Sequence, residues 1–171
     1  MQKLIKRCGT RDPFLICAEL KVIIKFVDFD NLMGMYKKIG RNRYIILKRD
    51  LIDIVKYIVC LHELGHDQLH WKLAENVLLR DIAIFRNEPI ELGANMFAAE
   101  LKYKDDEILD LVYSGYTVDQ IAMKTGAFSG LVGIKLDLLR HKGYPLKNIE
   151  YNPYFLKCAE GRYNETDYSP C

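Results

Sequence analysis

From Asp50 to His70, apolar residues recur at spacings of three and four, the period of a helix. Leu51, Ile54, Ile58, Leu61, Gly65 and Leu69 make one apolar stripe, and Asp53, Lys56, Cys60, Glu63, Asp67 and His70 make a second, mostly polar one on the other side. Val55, Val59, His62 and His66 fall between them. Asp50 is expected as the N-cap and Asp53 as the first-turn acid that the helix dipole favours, and no Gly or Pro interrupts before Gly65. Upstream, Asp12-Pro13 predicts a short helix to about Leu20, and the β-branched run Lys21–Val27 predicts a strand. Gly34–Lys38 and Arg43–Lys48 flank the turn residues Ile39-Gly40-Arg41-Asn42, an antiparallel hairpin. Downstream, Pro89 opens a helix to about Tyr103, followed by three short helices over Asp105–Ser114, Val118–Thr125 and Phe128–His141. Trp71–Asn87 fits strand and helix equally.

This order predicts an α+β fold. A small antiparallel sheet packs against the 50–70 helix and the helix opened by Pro89, and a small helical region with helix-turn-helix-like spacing follows. The expected division is a core over residues 1–104, a helical subdomain over 105–145 packed on it, and an irregular tail over 146–171 whose last ten residues are loose. There are no internal repeats and no low-complexity segments.

Composition narrows the class. The 171 residues suit one domain with a sizeable core; half are hydrophobic, 28% are charged, and the net charge is +2. That balance is too mild to announce a nucleic-acid or membrane partner. Lys37, Lys38, Arg41, Arg43, Lys48 and Arg49 form a local basic cluster, read first as a solvated hairpin rim. Met1–Gly9 is basic with no apolar run behind it, so no secretory signal is expected, and no stretch approaches a membrane span. Five scattered cysteines without a CxxC pair fit reduced thiols in a cytoplasm.

The chemistry concentrates in His62-Glu63-Leu64-Gly65-His66. At about 100° per residue the two histidines stand one turn apart on one helix face, where they can grip a single Zn²⁺. Glu63, next to them, can poise a water for attack. The competing reading is an amphipathic helix with two core or capped histidines. A real site needs a third protein ligand. His70 lies about 12 Å along the helix from His62, too far to share one ion, and is expected as a partner or wall of the cleft. Cys60 lies about 200° around the helix from His62, a poor direction for the same metal. Glu100 is expected to be solvated. Glu91 fits best, because Ala94 and Ala98 beside it allow close helix approach and Asn95, one turn on, could hold the far side of a ligating histidine. The competing role for Glu91 is a first-turn carboxylate serving the helix dipole.

Leu61-His-Glu-Leu-Gly-His-Asp-Gln-Leu-His70, with Glu91-Leu-Gly-Ala-Asn-Met-Phe-Ala-Ala-Glu-Leu101, resembles the ImmA/IrrE family of metallo-endopeptidases. The Asp12-Pro13-Phe14 opening, the Gly34-Met-Tyr … Tyr44-Ile-Ile hairpin and Val118–Gly126 are similar to it as well. The resemblance implies a gluzincin-like protease with one zinc per chain, often carried by phages and integrative elements, that cleaves a helix-turn-helix repressor and derepresses genes. It implies His62, His66 and Glu91 as ligands and Glu63 as base. Two positions depart from the pattern: an often acidic position is Gly93, and the frequent Leu-Leu-Met-Pro is Leu101-Lys-Tyr-Lys.

The leading expectation is therefore a cytoplasmic zinc endopeptidase acting on a protein, with no membrane or sequence-specific nucleic-acid partner. Tyr103, Tyr113, Tyr116 and His141 are unranked candidates to stabilise the oxyanion. The alternative is a DNA-binding or protein-binding regulator with a non-catalytic metal site, suggested by Gln120-Ile-Ala, Gly126, Val132 and Leu136. Against DNA binding, the would-be recognition helix from Phe128 begins with few base-reading groups.

Overall fold

The computed structural model describes residues 1–72, 88–147 and 151. Two short helices lead: α1 (Gln2–Cys8) and α2 (Pro13–Glu19). The first was not expected, since three lysine and arginine side chains leave its seven residues only a narrow apolar face of Leu4, Ile5 and Cys8. The second starts as read: the Asp12 carboxylate accepts from the backbone N–H of Phe14 at 2.8 Å and of Leu15 at 3.0 Å. It buries Ile16 and Cys17.

Strands β1 (Val22–Val27), β2 (Gly34–Ile39) and β3 (Asn42–Lys48) form one sheet in the order β1-β3-β2. The hairpin β2–β3 is antiparallel, pairing Tyr36 with Ile45. The sheet as a whole is not: β1 runs parallel to β3, with Ile24 beside Ile45. The connection from Asp28 to Met33 carries the chain past the future position of β3 to the far edge. When β3 returns, it lies between its neighbours and runs with β1. Among the described residues β1 and β2 are therefore the two edge strands.

Helix α3 (Asp53–Leu69) begins three residues later than Asp50. Leu51 is drawn into the core, which holds the chain in a turn, so Ile52 occupies the N-cap without a side-chain bond; Asp53 is in the first turn as expected. The larger difference concerns the polar stripe. Ile58 to Asp67 is buried without interruption, because the sheet covers the side expected to face outward. Arg43 of β3 reaches over to place Nη1 2.8 Å from Asp67 Oδ2, and its Nη2 donates to the Leu20 carbonyl. Arg43 is thus an internal brace and not part of a solvated rim.

Helix α4 (Glu88–Lys102) lies along α3, with Ala94 and Ala98 fully buried at the seam. Helices α5 (Asp105–Tyr113), α6 (Val118–Thr125) and α7 (Ser129–His141) follow, each within a residue of its expected bounds. A capping box at Thr117 and Gln120 starts α6, and Gly126 ends it with a positive φ of 57°. Helix α7 packs on α4, and its Leu131, Ile134 and Leu139 share one core with Ile16, Ile45 and Leu61.

Glu100 is not solvated. Its carboxylate lies 2.7 Å from Lys142 Nζ and 3.3 Å from the buried Lys135 Nζ, and Asp105 completes the knot at 2.6 Å from Lys135. The cause is α7, which covers that face of α4. Residues 144–147 are irregular. The ambiguous stretch lies almost wholly outside the described residues, and so does the tail beyond Leu146-Lys147, apart from Tyr151. Among the described residues no helix is long and apolar enough to cross a membrane.

Candidate metal centre

Helix α3 supplies two imidazoles one turn apart, and α4 brings a carboxylate to them. His62 Nε2 lies 3.0 Å from His66 Nε2, while the Glu91 oxygens lie 3.3 Å from the first and 3.6 Å from the second. The three donor atoms fall within 4.8 Å of one another, a set that could hold one metal ion. His62 and His66 are buried and Glu91 is half-buried.

The far sides of both rings are also held. His62 Nδ1 sits 2.7 Å from Asn95 Oδ1, an acceptor, so Nδ1 carries a proton and Nε2 is turned toward Glu91. His66 Nδ1 sits 3.1 Å from His70 Nδ1; for His66 to offer Nε2 in the same sense, its Nδ1–H donates to His70. All the residues singled out on the two helices therefore meet here, except Glu100 and Cys60. The Cys60 thiol faces away toward Cys17, and that hydrogen bond, with burial, raises its pKa.

Close packing makes the convergence possible. A Cβ on Gly65 would stand 2.9 Å from the Ala94 carbonyl oxygen, so only glycine lets the helices come this near. On the other side β2 crosses α3. A Cβ on Gly34 would lie 2.5 Å from Val59 Cγ1 and 3.3 Å from Glu63 Oε1. Glu63 is therefore 7% exposed, tucked under Gly34, the first residue of β2. Sequence periodicity could not find Gly34 or Arg43, since both act on α3 across the sheet. At Gly93 the missing side chain faces the His70 ring, which a Cβ would meet at 3.5 Å.

The electrostatics follow from burial and from the paired carboxylates. Burial opposes charging His62, yet the hydrogen bond to Glu91 and the charges of Glu63 and Glu91 outweigh it and raise its pKa. Burial together with the neighbouring His62 drives His66 down to about 3. Burial lowers His70 as well. In the metal-free cluster it is thus His62, beside Glu91, whose charged form is favoured, and His66 whose charged form is disfavoured.

The oxyanion candidates are not gathered in. Tyr103 is buried with its hydroxyl 3.2 Å from Thr125 Oγ1, the Tyr116 ring lies under Lys124, and His141 Nδ1 lies 2.7 Å from the Asp137 carbonyl. Tyr113 is exposed.

Residues 17–136 match the family model of the IrrE N-terminal-like domain, a peptidase family. The chain is also 32% identical over 145 residues to "Uncharacterized immunity region protein 2" of Bacillus phage phi105, covering 84% of this chain and 90% of that one. No solved structure matches it. With the family model spanning both helices that carry the cluster, and a relative aligned over nearly its full length, the chain belongs to the IrrE N-terminal-like peptidase family.

Proposed function

We propose that the chain is a zinc endopeptidase that cleaves a protein in the cytoplasm, a helix-turn-helix repressor, and so derepresses genes. The observation that carries this reading is the convergence of His62 Nε2, His66 Nε2 and the Glu91 carboxylate, with Asn95 and His70 behind the two rings. Two neutral imidazoles and one carboxylate suit zinc, and the tautomers that Asn95 and His70 favour point both lone pairs inward. His62, His66 and Glu91 would hold one ion. When bound, zinc supplies a Lewis acid that polarises the scissile carbonyl and acidifies water. Glu63, on the same helix turn, accepts the proton of the attacking water and passes it to the leaving amine. Its burial under Gly34 keeps competing solvent from the carboxylate. Strand β2 begins beside Glu63 and has a free edge among the described residues, where an extended substrate can add its backbone.

The repressor as substrate rests on the family and on the phage immunity-region relative, whose name concerns that protein. Against the DNA-binding alternative, α7 is buried from Gly130 to Leu136, so its amino-terminal half offers no free face to a groove. The test is zinc content and cleavage together. Purified protein should hold about one zinc per chain, and should cut its cognate repressor when the two are mixed. Full zinc with no cleavage of any co-encoded regulator would leave the non-catalytic reading.

A further inference from the structure

At the amino-terminal end of α3, away from the metal cluster, the chain folds around a cavity of about 530 Å³. Three aromatic rings line it: Phe14 of α2, Phe26 of β1 and Tyr57 of α3. Phe26 is 42% exposed, while Phe14 and Tyr57 are partly buried against the core. Arg49 and Lys56 bring cations to the same wall, and Asp12 and Asp53 bring carboxylates. All of these side chains lie among the described residues.

The charges differ in what they can still bind. The Asp12 carboxylate already caps α2, accepting from the N–H groups of Phe14 and Leu15. Asp53 stands fully in solvent, 3.7 Å from Lys56, a long pair that water screens. Arg49 donates through Nε to Asp28 and through Nη2 to the Phe26 carbonyl, each at 3.0 Å. Its Nη1 hydrogens make no bond among the described residues, and neither does the Tyr57 hydroxyl. Burial, with Asp12 nearby, raises the Tyr57 pKa, so that hydroxyl stays a neutral donor. Lys102 Nζ, 5.2 Å from the Tyr57 ring centroid, adds a further cation close by. The cavity therefore offers flat apolar faces and donors, whereas its acceptors are engaged or turned to water.

We propose that this cavity binds a mononucleotide, its base against the three rings and its phosphate on Arg49 and Lys56. The volume falls in the range of about 300–1,000 Å³ that small-molecule sites occupy. Aromatic faces stack bases of any sequence, and guanidinium and ammonium groups are the usual partners of phosphate oxygens. A peptide fits less well. The Phe26 carbonyl already accepts from Arg49, so the end of β1 is closed to an added strand. His62 lies five residues beyond Tyr57, about 8 Å along the helix, so the site is separate from the metal cluster. It does not depend on the endopeptidase reading.

The experiment is calorimetric titration of the full-length protein. The probes are AMP, CMP, GMP and UMP, the four matching nucleosides, inorganic phosphate, and a capped Glu-Phe dipeptide. At least one monophosphate should bind saturably, about one per chain. It should bind about ten- to hundredfold more tightly than its nucleoside, the range for hydrogen bonds to a charged group. Phe26→Ala should weaken it about five- to hundredfold through lost stacking. Lys56→Gln should weaken the monophosphate and leave the nucleoside unchanged, and Arg49→Gln should do the same. Phe26 and Arg49 both reach solvent, so these variants should melt near the wild-type temperature and take up the same zinc. No monophosphate binding at millimolar concentration overturns the site. So does equal binding of monophosphate and nucleoside, binding unchanged in all three variants, or preference for the dipeptide.

Discussion

Asn95 Oδ1 lies 2.7 Å from His62 Nδ1, across the seam between α3 and α4. The carbonyl oxygen accepts, so the pair fixes the ring's tautomer and direction from a different helix. Asn95→Ala should lower zinc affinity about 10–100-fold in a chelator competition, the usual cost of losing such a partner. Asn95→Asp keeps an acceptor and should retain most of the affinity. Unchanged affinity in Asn95→Ala would mean that packing alone orients the ring.

Glu63→Gln should keep fold and zinc and slow cleavage about 10²–10⁴-fold, because only proton transfer is removed. The measurement is single-turnover cleavage with zinc assayed on the same sample. Wild-type rates in that variant would remove Glu63 from the mechanism.

The ligand series separates neighbours. His62→Ala, His66→Ala and Glu91→Ala should each lose zinc, whereas Glu100→Ala should keep it. Glu100→Ala should instead cost about 1–3 kcal/mol of stability, since it strips one carboxylate from the buried Lys135. His70→Ala should keep the stoichiometry with weaker binding, because it loses only the contact behind His66. Thermal melts beside metal analysis distinguish these outcomes.

Gly65→Ala should push α4 off α3. The added methyl meets backbone at 2.9 Å, which cannot rotate away. Overpacking of this kind costs about 1–3 kcal/mol, and zinc affinity should fall with it as Glu91 and Asn95 retreat. A normal melting temperature with normal zinc would show that the seam is looser than its geometry implies.

The histidines predict opposite pH trends in the metal-free protein. His66, held at about 3 against an ordinary 6.5, is neutral when folded and protonated when unfolded, so stability falls as pH drops from 6.5 toward 3. His62 is raised, so its contribution is full below 6.5 and fades as pH climbs through its higher folded value. Zinc binding below neutrality should therefore release close to one proton, from His62, and weaken about tenfold per pH unit in that range. Calorimetry in buffers of different ionisation enthalpy counts the protons; two released would contradict the assignment.

The parts of this site written along single helices were readable from sequence. His62 and His66 are one turn apart, as are Glu91 and Asn95, and Ala94 with Ala98 marks where two helices can approach closely. Relations that cross the sheet were not readable. Periodicity put Glu63 and Asp67 on an outward face, and only the passage of β2 and the reach of Arg43 bury them. The parallel pairing of β1 with β3 depends on where a six-residue connection lands, and no local propensity encodes that. Helix α1 was missed because its apolar residues are too few to show a period. Glu100 was misjudged for the same reason as Glu63, since the helix that covers it begins about thirty residues later.

Leu131, Ile134 and Leu139 of α7 lie in the same interior as Ile16 and Leu61, and Lys135 is clasped by Glu100 of α4 and Asp105 of α5. A chain cut after Lys104 would lay that interior open, so it should fail to fold rather than survive as a bare catalyst. Recombination between relatives faces the same obstacle, because exchanging residues 105–141 as a cassette would mismatch both the apolar seam and the lysine clasp. Divergence toward a new target protein is thereby steered to single substitutions at outlying positions such as Tyr113 and Met123, where nothing inside has to be rebuilt.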